Sequence, residues 1–202
     1  MTTPNTRALS TLLILSAILL LIWWMATGGI FLSLNGDFPG SVLHPAWIPV
    51  NALGLLGCIL LCLGLPILGF HSEGSGPVPF STGVLISQAG VILFTAIQYY
   101  ETFLWPVAAD FDPSLIALEG ALVFGDLRVS VPLVASGLVL ATGFLILMIE
   151  LIRSGETKLW PVLLFLGALL FGSGLIVPVR TIGLLIFTAA LIRYGRLNRQ
   201  EK

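Results

Sequence analysis

FSTGVLISQAGVILFTAIQYYETFLWP, residues 80–106, is the stretch around which the rest of the chain must be arranged. It is long enough to cross a bilayer, since about 20 apolar residues span the hydrocarbon core. Yet Gln88, Gln98, Tyr99 and Glu101 lie within the apolar run. A carboxylate in a spanning helix costs roughly 2.5 to 3.5 kcal/mol at the bilayer centre. The stretch therefore predicts a helix that is packed among neighbouring helices, with Glu101 next to a partner residue or a water-filled cavity.

The composition of the whole chain indicates a membrane protein. Of 202 residues, 57% are hydrophobic and 9% are charged, and the mean hydropathy is +1.05. Soluble domains carry about 25% charged residues. The net charge of −1, without a basic stripe, excludes nucleic acid as a partner. Cys58 and Cys62 stand four residues apart in an apolar run and are interpreted as small apolar residues of the helix interior.

The hydropathy pattern predicts an all-α fold: one polytopic transmembrane helix bundle with six spans and a short outer interfacial helix. The last span is shorter than the roughly 17 residues that a crossing usually needs. The predicted spans are residues 8–32, 48–70, 80–105, 131–152, 159–177 and 180–195.

The distribution of basic residues predicts the orientation. With six spans and both termini cytoplasmic, only Arg128 and Arg180 lie outside, as the positive-inside rule favours for a protein of the cytoplasmic membrane. The inner side then holds the other basic residues, namely Arg7, Arg153, Lys158, Arg193, Arg196, Arg199 and Lys202.

The longest loop, residues 107–130, is acidic. Asp112 followed by Pro113 is typical of a helix start, with aspartate as the N-cap and proline in the first turn. We therefore predict an interfacial helix over about 113–124, with Glu119 on its polar side. It could act only as a seal over the bundle, or as a gate over a cavity.

A polar stripe on the third span supplies the candidate site. At about 100° per residue, Gln88, Thr95, Tyr99 and Thr102 share one side of the helix, and Gln98 and Glu101 flank it. One interpretation is a structural ion pair between Glu101 and either of the outer basic residues, Arg128 or Arg180. A second is a cation or proton site that Glu101 forms with Glu119 or Asp126. Substrate recognition is a third.

Motifs for catalysis or cofactor binding are not evident in the sequence. It contains no H-E-x-x-H or G-x-S-x-G, and His44 and His71 are predicted on opposite sides of the membrane. We expect no cofactor and no bound metal, and favour a non-enzymatic protein. A weaker alternative is an outer metal site formed by His44 with Asp37 and the outer acids.

Two segments resemble small uncharacterised bacterial membrane proteins: ELIRSGETKLWPVLLFLGALLFGSG, from Glu150, and YETFLWP, from Tyr100. The resemblance implies a six-helix membrane protein and brings no known active site with it. The leading functional hypothesis is a non-catalytic component of the lipid bilayer that packs with lipids, with a membrane protein partner or with further copies of itself. The alternative is a small transporter or ion-coupled carrier that uses the polar stripe.

Overall fold

The computed structural model describes residues 4–70, 81–117, 119–172 and 177–200, and every regular element among them is helical. Phe80 at the start of the third predicted span, residues 173–176 near the end of the fifth, His71 and Lys202 lie outside the described residues. The helices are α1 (Pro4–Ser33), α2 (Phe38–Leu43), α3 (Trp47–Gly64), α4 (Pro66–Gly69), α5 (Thr82–Phe111), α6 (Leu127–Arg153), α7 (Leu159–Gly172) and α8 (Val177–Gln200).

Four of these helical segments are long and apolar enough to cross a membrane. They are Thr6–Ser33, Trp47–Gly69, Thr82–Phe111 and Leu127–Arg153, and α7 is a shorter apolar helix. The second segment joins α3 and α4, because Leu65 between them keeps right-handed helical angles despite the break before Pro66. The prediction of an all-helical protein with helices long and apolar enough to span a membrane is confirmed for the described residues, and the first four predicted spans coincide with these segments.

Six main helices form a closed ring in the described part of the chain. Helix α1 packs against α3 and α8, α5 packs against α3 and α6, and α7 packs against α6 and α8. Neighbours run in opposite directions, so one end of the ring holds the end of α5, the start of α6 and the start of α8. We call it the loop end, after the α5–α6 connection, and the opposite end, where α1 begins, the terminal end.

Glycine residues let some of these helices touch through their backbones. A Cβ atom added at Gly167 of α7 would lie 2.5 Å from the backbone nitrogen of Phe187 in α8. One added at Gly90 of α5 would lie 2.5 Å from the Cα atom of Leu140 in α6. In lipid, helices associate through such close packing rather than through hydrophobicity. The ring is therefore closed by contacts that only a residue without a side chain permits.

Helix α5 runs past Pro106 to Phe111, six residues beyond the predicted end of the third span. Proline inside a helix removes one backbone hydrogen bond. Here the extra turn is held by packing, because Trp105 and Ala109 are buried in a small cluster with Trp47 and Ile116. Tertiary contacts therefore override the helix-ending tendency of the proline.

The predicted interfacial helix over 113–124 is wrong. The chain instead forms one 3-10 turn, Pro113–Ile116, followed by irregular turns. Asp112 does cap the turn, since its carboxylate accepts a hydrogen bond from the Ser114 amide at 2.9 Å. The helix stops at Ala117, whose ψ of 158° is extended and not helical. The connection is held against α5, since Tyr100 Oη and Trp105 Nε1 both donate to the Leu122 carbonyl at 3.3 Å.

Glu150, near the end of α6, contacts the start of α5. The Glu150 carboxylate accepts hydrogen bonds from Ser81 Oγ at 2.7 Å and from the Gly83 amide at 3.0 Å. These groups lie at the start of α5, where unpaired amides and the helix dipole favour a negative charge. The carboxylate therefore joins α6 to α5 at the terminal end.

Candidate functional site

One side of α5 faces the interior of the ring near the loop end. Phe94, Gln98 and Glu101 occupy positions i, i+4 and i+7, which lie on one helix face. The Gln98 side chain is 1% exposed, and Thr102 beside it is fully buried and donates to the Gln98 carbonyl at 2.5 Å. Glu101 itself is partly buried, so this face belongs to the bundle interior and Glu101 lies at its edge.

Asn51 of α3 connects three helices at this level. Its Oδ1 accepts hydrogen bonds from Trp23 Nε1 of α1 at 2.8 Å and from Gln98 Nε2 of α5 at 3.1 Å. Its Nδ2 donates to the Trp47 carbonyl at 2.9 Å, and the side chain is 2% exposed. Asn51 was not among the residues predicted from the sequence. A single amide in an otherwise apolar helix was a usable signal, because polar groups in spans need partners.

Arg180 of α8 lies among four aromatic rings. Its Cζ atom is 4.5 Å from the ring centroid of Trp24, 5.4 Å from that of Trp23, 5.3 Å from that of Phe171 and 5.7 Å from that of Phe94. Each ring can attract a cation through its quadrupole. Rings from α1, α5 and α7 thus surround the guanidinium, which points from α8 into the ring of helices.

Several polar groups of this region lack a partner among the described residues. Arg180 Nε and Gln98 Oε1 are buried atoms without a hydrogen bond. The Glu101 carboxylate accepts no hydrogen bond from the described residues, and only its backbone carbonyl is used, by Trp47 Nε1 at 3.2 Å. We call Asn51, Gln98, Glu101 and Arg180, with the four rings around Arg180, the interior polar cluster.

The expected direct ion pair of Glu101 is not formed. Arg180 and Glu101 interact electrostatically, but they make no direct contact pair. In the described part of the chain the one direct ion pair joins Arg128 Nη2 to Asp126 Oδ2 at 2.5 Å, and the Arg128 side chain is 90% exposed. Arg180 is thus the basic residue that the structure brings near Glu101, and Arg128 is not.

The acids of the α5–α6 connection do not belong to the interior polar cluster. Glu119 is exposed. Asp126 accepts hydrogen bonds from the side chain and the backbone amide of Arg128, and these lower the pKa of its carboxyl group to about 2. The second interpretation, a cation or proton site of Glu101 with either acid, therefore gains no geometric support.

The remaining residues of the predicted stripe face elsewhere. Gln88 Nε2 donates to the Cys62 carbonyl of α3 at 3.0 Å, and Thr95 Oγ1 donates to the Val91 carbonyl at 2.7 Å. Tyr99 is 55% exposed on the outside of the ring. The stripe therefore divides, with Gln98, Glu101 and Thr102 inside and Tyr99 outside, because α3 and α6 cover only part of the α5 surface.

The part of the chain that the structure describes contains no candidate metal site. Those residues contain no group of three His, Cys, Asp or Glu side chains placed to hold an ion. His44 Nδ1 accepts a hydrogen bond from the Ala46 amide at 3.1 Å, a local turn contact.

Comparisons with protein-family models, curated proteins and solved structures find no match for this chain.

Proposed function

We propose that this chain is a multi-pass membrane carrier that binds a small polar solute in the interior polar cluster. A single observation carries the proposal: Arg180 and Glu101, with opposite charges, both face the interior of the helix ring without pairing with each other. The proposal favours the carrier alternative over a purely structural role.

The energetics of buried charge support this function. A charge removed from water is costly unless it is paired. Glu101 is partly buried, and its carboxylate has no ion-pair partner among the described residues. Ionisable residues inside membrane segments usually mark substrate or ion pathways. A solute that satisfies both groups would turn an unfavourable arrangement into a binding site.

The proposed topology has six spans in the cytoplasmic membrane, with both termini in the cytoplasm. The antiparallel order of the ring supports it, since an even number of helices returns the chain to its starting side. Helix α8 has 24 residues, but its uncharged run, 181–192, is only about 18 Å long. A crossing by α8 therefore requires that Arg180 be sheltered inside the bundle and that the long Arg193 side chain reach the interface. A reporter fused to the C-terminus tests this orientation, and a reporter that is active outside the cell would contradict it.

The binding function is tested by native mass spectrometry. The protein in nanodiscs is incubated with a polar extract of cells and then released in the spectrometer. We expect one bound small molecule per chain, and its loss in Glu101→Gln and in Arg180→Gln. Glu119→Gln is the matched control, because that exposed carboxylate lies outside the cluster. An unliganded wild-type chain after incubation would count against the carrier function.

A second candidate function, packing with a partner membrane protein, rests on the outer surface between α3 and α5. A groove of about 470 Å³ lies there, with a nearly apolar lining that includes Leu55, Ile59, Ile92 and Tyr99. Protein extracted gently from its own membrane distinguishes the two functions: a stoichiometric second protein supports packing, and a lone chain with a small molecule supports the carrier.

A further inference from the structure

We propose that the ligand of the interior polar cluster is a small zwitterion, with an anionic group that binds Arg180 and an ammonium group that binds Glu101. The inference rests on the proposed function and specifies the chemistry of the same site. It is carried by four observations: two opposite charges that face one interior, the absence of a direct ion pair between them, the free amide oxygen of Gln98 and the aromatic rings around Arg180.

Charge balance selects this class of ligand. Arg180 and Glu101 together are neutral, so a zwitterion keeps the interior neutral while it pairs both charges. An anion alone would leave Glu101 unpaired and the cluster negative, and a cation alone would leave Arg180 unpaired and the cluster positive. Because unpaired charges are costly where water is scarce, singly charged solutes fit less well.

The two charges come from different helices and face the same interior. The Arg180 Cζ atom is 5.7 Å from the ring centroid of Phe94, and Glu101 follows Phe94 by seven positions on α5. The two charged groups interact electrostatically but form no direct ion pair. A molecule whose anionic and ammonium groups are a few bonds apart can contact both of them.

Gln98 adds a second acceptor for the ammonium group. It lies between Phe94 and Glu101 on the same helix face, and its Nε2 is held by Asn51 at 3.1 Å. Its Oε1 is buried and has no hydrogen bond to the described residues. An ammonium group has three N–H donors, so it can bind this oxygen and the Glu101 carboxylate together.

Two sources could supply this chemistry. One is a free amino acid, and the other is the phosphoethanolamine headgroup of a bilayer lipid. Both carry an anionic oxygen group and an ammonium group a few bonds apart. The experiment therefore contains an arm for each source.

The first arm measures binding to the full-length protein in nanodiscs that contain only phosphatidylglycerol. The probes are L-leucine, 4-methylpentanoate, which lacks the ammonium group, and 3-methylbutylamine, which lacks the carboxylate. A charge-assisted hydrogen bond contributes about 1.5 to 3 kcal/mol, so we expect L-leucine to bind at least about tenfold more tightly than either matched probe.

The second arm uses nanodiscs with phosphatidylethanolamine added. If the lipid headgroup is the ligand, native mass spectra retain one phosphatidylethanolamine per chain, and glycerophosphoethanolamine in solution displaces it. If the amino acid is the ligand, lipid composition leaves L-leucine binding unchanged. The proposal is overturned if neither L-leucine nor the ethanolamine compounds bind better than the singly charged probes.

Substitutions of Glu101 and Arg180 test whether the two charges cause the preference for a zwitterion over singly charged probes. Glu101→Gln should weaken binding of the zwitterion about tenfold or more and leave 4-methylpentanoate binding almost unchanged. Arg180→Gln should weaken binding of L-leucine and of 4-methylpentanoate and leave 3-methylbutylamine binding almost unchanged. If Glu101→Gln does not fold, Gln98→Met provides the test, with a smaller loss confined to ammonium ligands. A merely structural role would instead weaken all probes alike.

The cell-extract experiment separates failure of this inference from failure of the proposed function. A bound molecule that is lost on Glu101→Gln but is neutral or singly charged overturns the zwitterion and leaves the carrier function standing. If the extract yields no bound molecule and the probes do not bind, both are overturned.

Discussion

The two ends of the bundle interior are stabilised in different ways. Towards the terminal end the core is apolar, and Leu147, Leu164, Phe187 and Leu191 are completely buried there. Towards the loop end the interior polar cluster occupies the interior. There, side-chain hydrogen bonds through Asn51 join α1, α3 and α5. Close packing therefore holds one half together, whereas the other half is held by side-chain hydrogen bonds and by an arginine among aromatic rings.

The largest expected effect comes from filling a close contact in the apolar half. Gly167→Val would force a side chain into the backbone of Phe187, because even a Cβ atom would lie 2.5 Å from its nitrogen. Overpacking typically costs 1 to 3 kcal/mol, and we expect about 3 kcal/mol because backbone must move. Thermal unfolding in detergent measures the loss.

Gly29→Val is the matched control for that substitution. A Cβ atom added at Gly29 would meet nothing within 4 Å, so we expect little change in the unfolding temperature. Equal destabilisation by the two valines would show that the apolar half does not depend on close helix contact, and the contrast between the halves would fail.

A smaller effect is expected from Asn51→Leu in the polar half. It leaves Trp23 Nε1 and Gln98 Nε2 without their common acceptor. Hydrogen bonds between membrane helices contribute about 0.6 kcal/mol on average, and buried donors left unpaired cost more. We expect a loss of about 1 to 2 kcal/mol of unfolding free energy, measured in the same detergent.

The Asn51 prediction also has a control within its own hydrogen-bond network. In the Gln98→Met background one of the two donors is already gone, so Asn51→Leu should cost less than in the wild type. Identical losses in both backgrounds would mean that the amide pair is not coupled and that the polar half is not a network.

Ser81→Ala tests the contact between α5 and α6 at the terminal end. Ser81 Oγ donates to Glu150 and accepts from the Val84 amide at 3.3 Å, so it both caps α5 and joins it to α6. Loss of an N-cap typically costs about 1 kcal/mol, and we expect that size of change. Ser81→Thr keeps the hydroxyl and should stay near wild type, and failure of this rescue would contradict the capping role.

The smallest effect concerns Asp126, at the exposed surface. The hydrogen bonds from Arg128 lower the pKa of this carboxyl group from 3.8 to about 2 in the folded protein. Its contribution to stability is therefore fully present above about pH 4 and is lost as the pH falls through about 2. In Asp126→Asn the slope of stability against pH between 4 and 2 should decrease slightly; an unchanged slope would contradict the assignment.

Much of the architecture could be predicted from composition and hydropathy. The helical class and the first four membrane segments follow from apolar runs of sufficient length, because a bilayer accepts few other structures. The unusual position of Glu101 was also evident. The predicted helix over 113–124 failed, because the backbone becomes extended at Ala117. The connection instead packs against Tyr100 and Trp105 of α5, contacts that no local propensity reveals.

The candidate site was only partly predictable. Helical periodicity placed Gln98 and Glu101 near each other, but it grouped them with Tyr99, which the structure places outside the ring. Periodicity gives the angle of a residue around its own helix and says nothing about where the neighbouring helices lie. Asn51 and the rings around Arg180 were missed for the same reason, since they come from α1, α3, α5 and α7.

Composition and local periodicity are enough to establish that this protein is helical and apolar enough for a membrane, and that a few polar residues must be sheltered there. The charge that lies near Glu101 depends on the fold, because Arg180 is 79 positions away in the chain and meets the same interior only when the ring closes. Electrostatic and aromatic contacts act through space, and the fold alone sets those distances.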